Sequence, residues 1–463
     1  MSKAITCIDH DLLSVQEARI FAENAKSAQK VMQSFTQEQL DTIVMHIAKF
    51  MDSRLPELAS LSCSETEYGC VEDKLKKNQF VCRILADNLH KMRCVGIINE
   101  NQSLKTKDVG VPVGVIAALP PATSPVSTTI YKVLISIKSG NAIVFSPHPR
   151  AKDVILKTVQ LIIEAGAKAG LPDGAVSCLS YLSKDGTKHL MGHPNVDMIL
   201  ITGVPGMLPA AQSCGKPVIY GGTGGGPVFV ERTADIAKAA KDIIKSRTFD
   251  YGIVSAAEQA IVADAPIADA LRAKLKEHGA YFMTEEESNR LVKLFESCKF
   301  VGKSAAYIAN RAGFVNVPKN VQVLVSEQKY ATPDNPYAKE KLCPILAFYV
   351  EDDWMDACEK CIELLISEGR LHTLTIHSTD EAIIQEFALK KPVSRVLVNT
   401  PATFGGMGIT TNLSPAMTLG SGVMSDNITP FNLINIRKVG YGVRTEDENT
   451  HNAETLYQIL MNL

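Results

Sequence analysis

The segment DYGIVSAAEQAIV, residues 250–262, presents one small hydroxyl side chain between two apolar runs. Gly252, Ile253 and Val254 lead to Ser255, and two alanines and a Glu-Gln pair follow it. This layout indicates a loop that holds one side chain at a fixed place. A serine nucleophile needs a neighbouring base, and the segment contains no histidine. The sequence therefore raises the question of why a serine stands at this position.

A second group of polar residues follows the apolar run VGVIAAL, residues 113–119, which predicts a buried strand. Ligands of parallel α/β sheets bind beyond the carboxyl ends of the strands. Thr123 and Ser124 offer hydroxyl groups at such an end, where a helix begins. An equally ordinary interpretation is that Ser124 caps this helix and Pro125 is its first residue.

Two further strand ends carry residues suited to a nucleotide. Ser146, His148 and Arg150 follow the strand NAIVFSP, and such a turn can hold a ribose and phosphates or be a plain turn with a solvated arginine. Thr202 and Gly203 follow the strand DMILIT and are expected to open a helix, whose amide groups favour phosphate. These residues are consistent with a nucleotide site, but ordinary turns would have the same residue types.

The run GGTGGG, residues 221–226, leads into a strand, PVFVE, and not into a helix. It therefore lacks the geometry of a phosphate-binding G-x-G-x-x-G turn. We expect instead that its glycines let the backbone pass close to another segment at a domain junction.

Apolar spacing predicts helices over much of residues 12–95. From residue 113 onward, apolar strands alternate with helices, which favours parallel sheets covered on both faces. A second alternation begins after residue 226 and includes the strands TLTIHS and SRVLVNT. We therefore predict an α/β protein with two α/β domains.

Composition narrows the class of ligand and the compartment. The 463 residues are 46% apolar and 21% charged, with a net charge of −2, so no basic field attracts nucleic acid or a membrane surface. Eleven scattered cysteines indicate reduced thiols and a cytoplasmic protein. Cys358 and Cys361 form a lone C-x-x-C in a predicted helix, for which packing is favoured over a redox or metal role.

Six segments together resemble the CoA-acylating branch of the aldehyde dehydrogenase superfamily. This branch includes acetaldehyde and propionaldehyde dehydrogenases and the N-terminal half of aldehyde-alcohol dehydrogenases. The segments, whose order and spacing carry the resemblance, are SETEYGCVEDKLKKN, GVIAALPPATSPVSTTIYKVLISIKSGNAIVFSPHPRAK, TFDYGIVSAAEQAIV, EKLCPILAFY, GRLHTLTIHS and RVLVNTPATFGGMG.

The resemblance implies a Rossmann-type NAD-binding domain, an α/β catalytic domain and a small β oligomerisation element. The expected boundaries are 1–95 with 113–226, then 227–420, and finally 96–112 with 421–463. The implied reaction is reversible: aldehyde, CoA and NAD⁺ give acyl-CoA and NADH. An enzyme thiolate forms the acyl intermediate, and CoA then takes the acyl group.

Hydrolytic members of the superfamily carry a glutamate base in the glycine-rich junction, where it activates water. The junction of this chain, YGGTGGGPVF, contains no acid. An acyl intermediate without activated water waits for CoA, so the missing acid favours the acylating branch.

The resemblance also assigns roles to individual residues. The nucleophile falls on Ser255, where the family has cysteine, and the oxyanion-side asparagine falls on Ser124. His372 lines the site and assists acyl transfer, or is a satisfied core residue. Glu340 contacts the nicotinamide ribose. The remaining dinucleotide-binding positions are Ser146, His148, Pro149, Thr202, Gly203 and Gly221, and no metal ligand is expected.

The serine at position 255 has two explanations. An engineered replacement of cysteine would inactivate the enzyme, whereas a natural one would make a divergent or silent member. The second departure, at Ser124, supports the natural origin. A rescuing thiol at Cys343 is a further alternative, although a packed free cysteine is the usual interpretation.

Substrates and partners are less constrained. Aldehydes of two to three carbons are the family default, and Arg370 is a candidate contact for an anionic group such as the sulfonate of sulfoacetaldehyde. Alternative functions are reduction of another acyl or phosphorylated semialdehyde, or a silent scaffold that binds NAD. A homodimer or homotetramer, associated with a bacterial microcompartment in some relatives, is the expected assembly.

Overall fold

The computed structural model describes residues 9–222, 224, 226–295, 298–367, 372–421, 426–443, 457–458 and 460–461. Arg370 therefore lies outside the described residues. Within the described ranges, no helix is long and apolar enough to cross a membrane.

Helices and strands alternate through most of the chain. The α-helices are α1 His10–Met32, α2 Gln37–Asp52, α3 Leu55–Thr66, α4 Val71–Gln79, α5 Ala86–His90, α6 Pro125–Lys138, α7 Lys152–Lys168, α8 Lys184–Gly192, α9 Leu208–Gln212, α10 Ile236–Thr248, α11 Ala268–Glu277, α12 Glu285–Phe295, α13 Ala305–Arg311, α14 Trp354–Ser367, α15 Glu381–Lys390 and α16 Ala402–Gly406. The strands are β1 Gly96–Asn101, β2 Thr106–Pro112, β3 Val115–Leu119, β4 Ala142–Phe145, β5 Val176–Cys178, β6 Met198–Thr202, β7 Val218–Gly221, β8 Pro227–Val230, β9 Ala260–Asp264, β10 Ala280–Phe282, β11 Val323–Glu327, β12 Ile345–Glu351, β13 Thr373–His377, β14 Arg395–Val398 and β15 Ile434–Gly440.

The first parallel sheet has the strand order β5-β4-β3-β6-β7. All five residues of β3 are buried because both faces of the sheet are covered. Ile116 and Ala118 pack in one core cluster with α6 and α7. Val115 and Ala117 alternate with them and pack on the other face with residues of α1 and α8. The continuous apolar run thus reflects burial on two sides.

The second parallel sheet has the strand order β10-β11-β12-β9-β8-β13-β14. Its central strands β8 and β9 are fully buried. Phe229 and Val262 belong to one core cluster, whereas Val228 and Ile261 belong to the cluster on the opposite face. Both α/β alternations read from the sequence therefore form parallel sheets.

The third sheet is small and antiparallel, with the order β1-β2-β15. Strands β1 and β2 form a hairpin that extends from Gly96 to Pro112. Strand β15 pairs with the whole length of β2, so that Ile434 lies opposite Pro112 and Gly440 lies opposite Thr106. Residues 435–440 of β15 are exposed, so its outer edge presents free backbone groups.

Candidate active site

One cavity of about 370 Å³ lies where the carboxyl ends of β3, β4 and β6 meet the loop before β9. Seven of the residues predicted for the site line it together: Ser124, His148, Thr202, Gly203, Gly221, Ser255 and Glu340. They come from six separate parts of the chain, since Thr202 and Gly203 are neighbours, and the parallel topology brings these parts together.

Ser255 stands in the turn between a short 3₁₀ segment, Phe249–Gly252, and strand β9. Asp250 and Tyr251 of that segment both adopt left-handed backbone conformations, with φ of 49° and 53°. Such angles are uncommon for residues other than glycine. Ser255 therefore follows a sharply turned segment, and contacts with other parts of the chain must stabilise its unfavourable backbone angles.

Bases near Ser255 are engaged elsewhere. His148 Nδ1 accepts a hydrogen bond from the Arg150 amide at 3.1 Å, and burial, followed by the nearby Arg150, lowers its pKa. Glu340 Oε1 accepts from the Gly224 amide at 2.9 Å. In the described part of the chain, Ser255 has no side-chain hydrogen bond to a base. The site therefore lacks the Ser–His pair of a serine hydrolase.

Glu258, three residues after Ser255, is fully buried and does not line the cavity. Its Oε1 accepts from the Ala402 amide at 2.9 Å, while Oε2 has no partner among the described residues. Burial raises the pKa of its carboxyl group to about 7. Its contacts are with the packed residues around α16.

Ser124 occupies the N-cap position of α6, but its side chain makes no capping hydrogen bond. The N-cap position of Ser124 and Pro125 as the first helical residue agree with the capping interpretation, but the capping hydrogen bond itself is not formed. Ser124 Oγ instead accepts a hydrogen bond of 2.7 Å from Lys77 Nζ. Lys77 comes from the segment SETEYGCVEDKLKKN, and the sequence pattern gave no sign that this lysine is buried.

Asp250 connects that segment to the Ser255 loop. Its Oδ2 lies 2.5 Å from Lys77 Nζ and 3.3 Å from Lys74 Nζ, and all three side chains are buried. Its Oδ1 accepts from the Cys70 amide at 2.9 Å. Gly69 permits this approach, because a Cβ there would lie 1.8 Å from Asp250 Oδ1.

Thr202 and Gly203 line the cavity but do not begin a helix, so that prediction was wrong. Gly203 has φ of 63° and Val204 of 52°, and a 3₁₀ turn starts only at Pro205. Residues with these left-handed backbone angles cannot form the first turn of a right-handed helix. Thr202 Oγ1 forms a hydrogen bond of 2.9 Å with Thr418 Oγ1.

Two predicted dinucleotide residues do not line the cavity. Ser146 is buried, and its Oγ forms a hydrogen bond of 2.8 Å with Thr187 Oγ1. Pro149 begins a 3₁₀ turn, Pro149–Ala151, beside His148. Both residues flank His148 in the sequence, but neither is among the residues that line the cavity.

His372 lies behind the cavity wall. A Cβ on Gly222 would be 3.0 Å from His372 Cδ2. His372 Nδ1 and Thr373 Oγ1 are 2.8 Å apart, while Nε2 is buried without a partner in the described ranges. Burial, followed by the charge of Arg395, lowers its pKa to about 3. His372 is therefore neutral across the physiological pH range.

The glycine-rich junction passes close to neighbouring backbone, as predicted. A Cβ on Gly226 would lie 1.5 Å from the Thr373 carbonyl oxygen, so no side chain fits there. Cys343 is fully buried and does not line the cavity, and burial raises its pKa to about 11. It is a packed free cysteine.

Cys358 and Cys361 are buried on α14. Lys391 Nζ contacts Cys358 Sγ, and burial raises the pKa of Cys361. Both cysteines belong to the core of the second sheet, as the packing interpretation expected.

Comparison with known proteins decides the family. The model of the aldehyde dehydrogenase family matches residues 6–290. The chain belongs to this family. It is 34% identical over 430 residues to a succinate-semialdehyde dehydrogenase (acetylating) of Clostridium kluyveri, covering 90% of this chain and 94% of that protein.

The chain is also similar to a longer protein and to a relative of known structure. It is 37% identical over 442 residues to the bifunctional aldehyde-alcohol dehydrogenase of Escherichia coli, covering 92% of this chain but 49% of that protein, about half its length. A crystal structure of an acetylating aldehyde dehydrogenase from Geobacillus thermoglucosidasius superposes with a TM-score of 0.91 at 40% identity, covering 95% of this chain and 99% of that one. The predicted aldehyde dehydrogenase-like α/β fold is thus confirmed.

Proposed function

We propose that this family member has the site of a CoA-acylating aldehyde dehydrogenase, with a serine in place of the nucleophilic cysteine. Its reaction is conversion of an aldehyde, CoA and NAD⁺ to acyl-CoA and NADH, in either direction. The observation that carries the proposal is the single cavity that Ser255 shares with Ser124, Thr202 and Glu340. The acetylating relatives support the same chemistry.

The cavity residues fit a dinucleotide. Glu340 offers a carboxylate that the Gly224 amide fixes, and a carboxylate accepts hydrogen bonds from ribose hydroxyl groups. Gly203 and Gly221 line the cavity without a side chain, and Thr202 adds a hydroxyl group. NAD⁺ would supply hydride acceptance when bound. The residue at position 255 would add to the aldehyde carbon, and Ser124 would contact the resulting oxyanion.

The absence of an acid in the junction favours CoA over water as the acyl acceptor. Residues 220–229 read YGGTGGGPVF, and the close contact of Gly226 with Thr373 leaves no space for a side chain there. An acyl group in this cavity would meet no carboxylate base from that segment, so its transfer to the CoA thiol would dominate.

Ser255 would make the unmodified chain slow. A thiol has a reference pKa of about 8.5 and is partly ionised near neutrality, whereas a hydroxyl group is not. Since two site positions, Ser255 and Ser124, depart from the family pattern, we favour natural divergence over a single engineered change. A silent, NAD-binding member is the second candidate, and the same two positions favour it.

An aldehyde panel tests the substrate. The Ser255→Cys variant would be assayed with acetaldehyde, propionaldehyde and sulfoacetaldehyde, with CoA and NAD⁺, and the acyl-CoA product would be identified. If Arg370 contacts an anionic group, Arg370→Ala lowers kcat/KM for sulfoacetaldehyde at least about tenfold, roughly 1.4 kcal/mol. Acetaldehyde serves as the control substrate. Equal losses for both substrates would remove Arg370 from the substrate site.

The three-stranded sheet is our candidate for an assembly element. Ile436 and Val439 are exposed on its edge strand β15, together with Tyr441 just beyond it. An exposed apolar edge strand is suited to pairing with another chain, which supports a homodimer or homotetramer. Light scattering of the full chain and of the Ile436→Asp variant tests this assembly, since a monomeric parent would exclude the oligomer.

Microcompartment association is a further proposal, to be tested by co-purification of the chain with microcompartment shells.

A further inference from the structure

The hydrogen-bonding arrangement at Ser124 leaves its own proton available. Lys77 Nζ donates to Ser124 Oγ at 2.7 Å. An ammonium group has no acceptor site, so the Ser124 proton cannot return to Lys77. The Ser124 side chain does not cap α6 either, and it lines the cavity that contains Ser255. The hydroxyl group can therefore donate into the cavity.

The lysine that donates to Ser124 belongs to a buried cluster of two lysines and one aspartate. One carboxylate, Asp250, faces two buried ammonium groups, those of Lys74 and Lys77. The adjacent Asp73 is engaged by the exposed Lys76 at 2.9 Å and by the Asp250 amide at 2.9 Å. Burial, and then the neighbouring Lys77, lower the pKa of Lys74. A lowered pKa favours the neutral form of Lys74, and the ammonium group that contacts Ser124 is that of Lys77.

We propose that Lys77 is a positioning residue that turns the Ser124 hydroxyl group into the oxyanion donor of this site. The inference rests on the proposed function, because it concerns the same acyl chemistry. In the family pattern, an asparagine amide at position 124 carries its own donor. In this chain, a serine and a buried lysine together provide one.

Physical chemistry favours this pairing. An ammonium group that donates to a hydroxyl oxygen polarises the O–H bond, which strengthens the hydrogen bond that this O–H donates. The effect is largest where water is excluded, and the Lys77 side chain is only 1% exposed. Loss of one oxyanion donor typically slows acyl transfer about 100- to 1000-fold.

Acylation by p-nitrophenyl acetate tests the proposal without NAD⁺ or CoA. In the Ser255→Cys background, the thiolate sulfur bonds to the acetyl carbon, the carbon–oxygen bond breaks, and p-nitrophenolate leaves as a measurable burst. Ser124→Ala and Lys77→Met should each slow this burst at least about 100-fold. The burst of the double variant should be no slower than that of the slower single variant, because Lys77 acts only through the Ser124 hydroxyl group.

Rescue separates positioning from a structural role. Ser124→Asn should restore the burst of the Lys77→Met variant to within about fivefold of the background, because an amide donates without a lysine. Lys77→Arg should retain the burst. If Lys77→Met does not fold, Lys77→Gln takes its place. The matched control is Lys138→Met, which removes another buried lysine, paired with Asp41 outside the cavity, and should leave the burst unchanged.

The outcomes are distinct. A burst that is unaffected by Ser124→Ala or by Lys77→Met overturns the proposal, as does failure of Ser124→Asn to rescue or absence of any burst in the background. The expected burst pattern without CoA-dependent NADH formation would contradict the proposed function but support the role of Lys77. Normal NADH formation with a burst indifferent to both residues would contradict only the role of Lys77.

Discussion

The carboxylate of Asp250 lies 2.5 Å from the Lys77 ammonium group, and both side chains are buried. Asp250 is also five residues before Ser255, in a left-handed turn. The ion pair therefore fixes the nucleophile loop to helix α4, which contains Lys77. It links the shape of the loop to the residue that contacts Ser124.

Asp250→Asn should destabilise the protein strongly. The substitution leaves two buried ammonium groups, those of Lys74 and Lys77, without a counter-charge, and breaking a buried pair in this way costs about 3–5 kcal/mol. Urea unfolding and Tm would measure the loss. Asp269→Asn is the control, since Asp269 is fully exposed and pairs with Arg272, and it should change stability by less than about 0.5 kcal/mol. A Tm equal to that of the parent would contradict the role of Asp250.

His372 should make stability depend on pH. Its pKa is about 3 in the folded protein and about 6.5 in the unfolded chain. The unfolded state therefore binds the extra proton between pH 6.5 and 3, so this contribution to stability falls as pH falls through that window. It is complete above about pH 6.5.

The matched measurement compares the parent with His372→Gln by urea unfolding at pH 7.5 and pH 5. At pH 5 the parent should lose on the order of 2 kcal/mol that the variant does not lose. Parallel changes in the two proteins would show that His372 is not buried in its neutral form.

Glu340→Gln should weaken cofactor binding without weakening the fold. A glutamine oxygen can keep the hydrogen bond from the Gly224 amide, while the charge that favours ribose hydroxyl groups is lost. Calorimetric titration with NAD⁺ should show a Kd about tenfold higher, roughly 1.4 kcal/mol. Glu327→Gln, which alters an acid paired with Arg272, is the control. An unchanged Kd would exclude Glu340 from the cofactor site.

Apolar runs allowed both parallel sheets to be predicted, because strands buried on two faces need continuous apolar residues. The segment VGVIAAL illustrates this, since all of β3 is buried. The family resemblance supplied the cavity residues, including Ser255 and Glu340, which lie far apart in sequence. Their convergence follows from strand order and not from any local pattern.

Other features could not be predicted from local pattern. Ser124 at a helix start suggested a cap, but a cap and a lysine contact have the same sequence signature. Lys77 looks like an ordinary exposed lysine in the sequence, but its buried ammonium group pairs with Asp250, more than 170 residues away, and donates to Ser124. A left-handed turn at Gly203 and Val204 stands where a helix start was expected. Glycine adopts positive and negative φ about equally readily, so the sequence alone does not indicate which one occurs.

The rate of CoA-dependent NADH formation from acetaldehyde, measured for the parent and for Ser255→Cys at pH 7.5, tests the central claim most directly. A thiol at position 255 restores an ionisable nucleophile to a cavity that otherwise suits acyl transfer. We expect the variant to be at least about 100-fold faster, roughly 2.7 kcal/mol in transition-state stabilisation, and to require CoA. Equal rates, or a parent with a kcat of about 10 s⁻¹, the typical value for enzymes, would contradict the assignment of Ser255 as the nucleophile position.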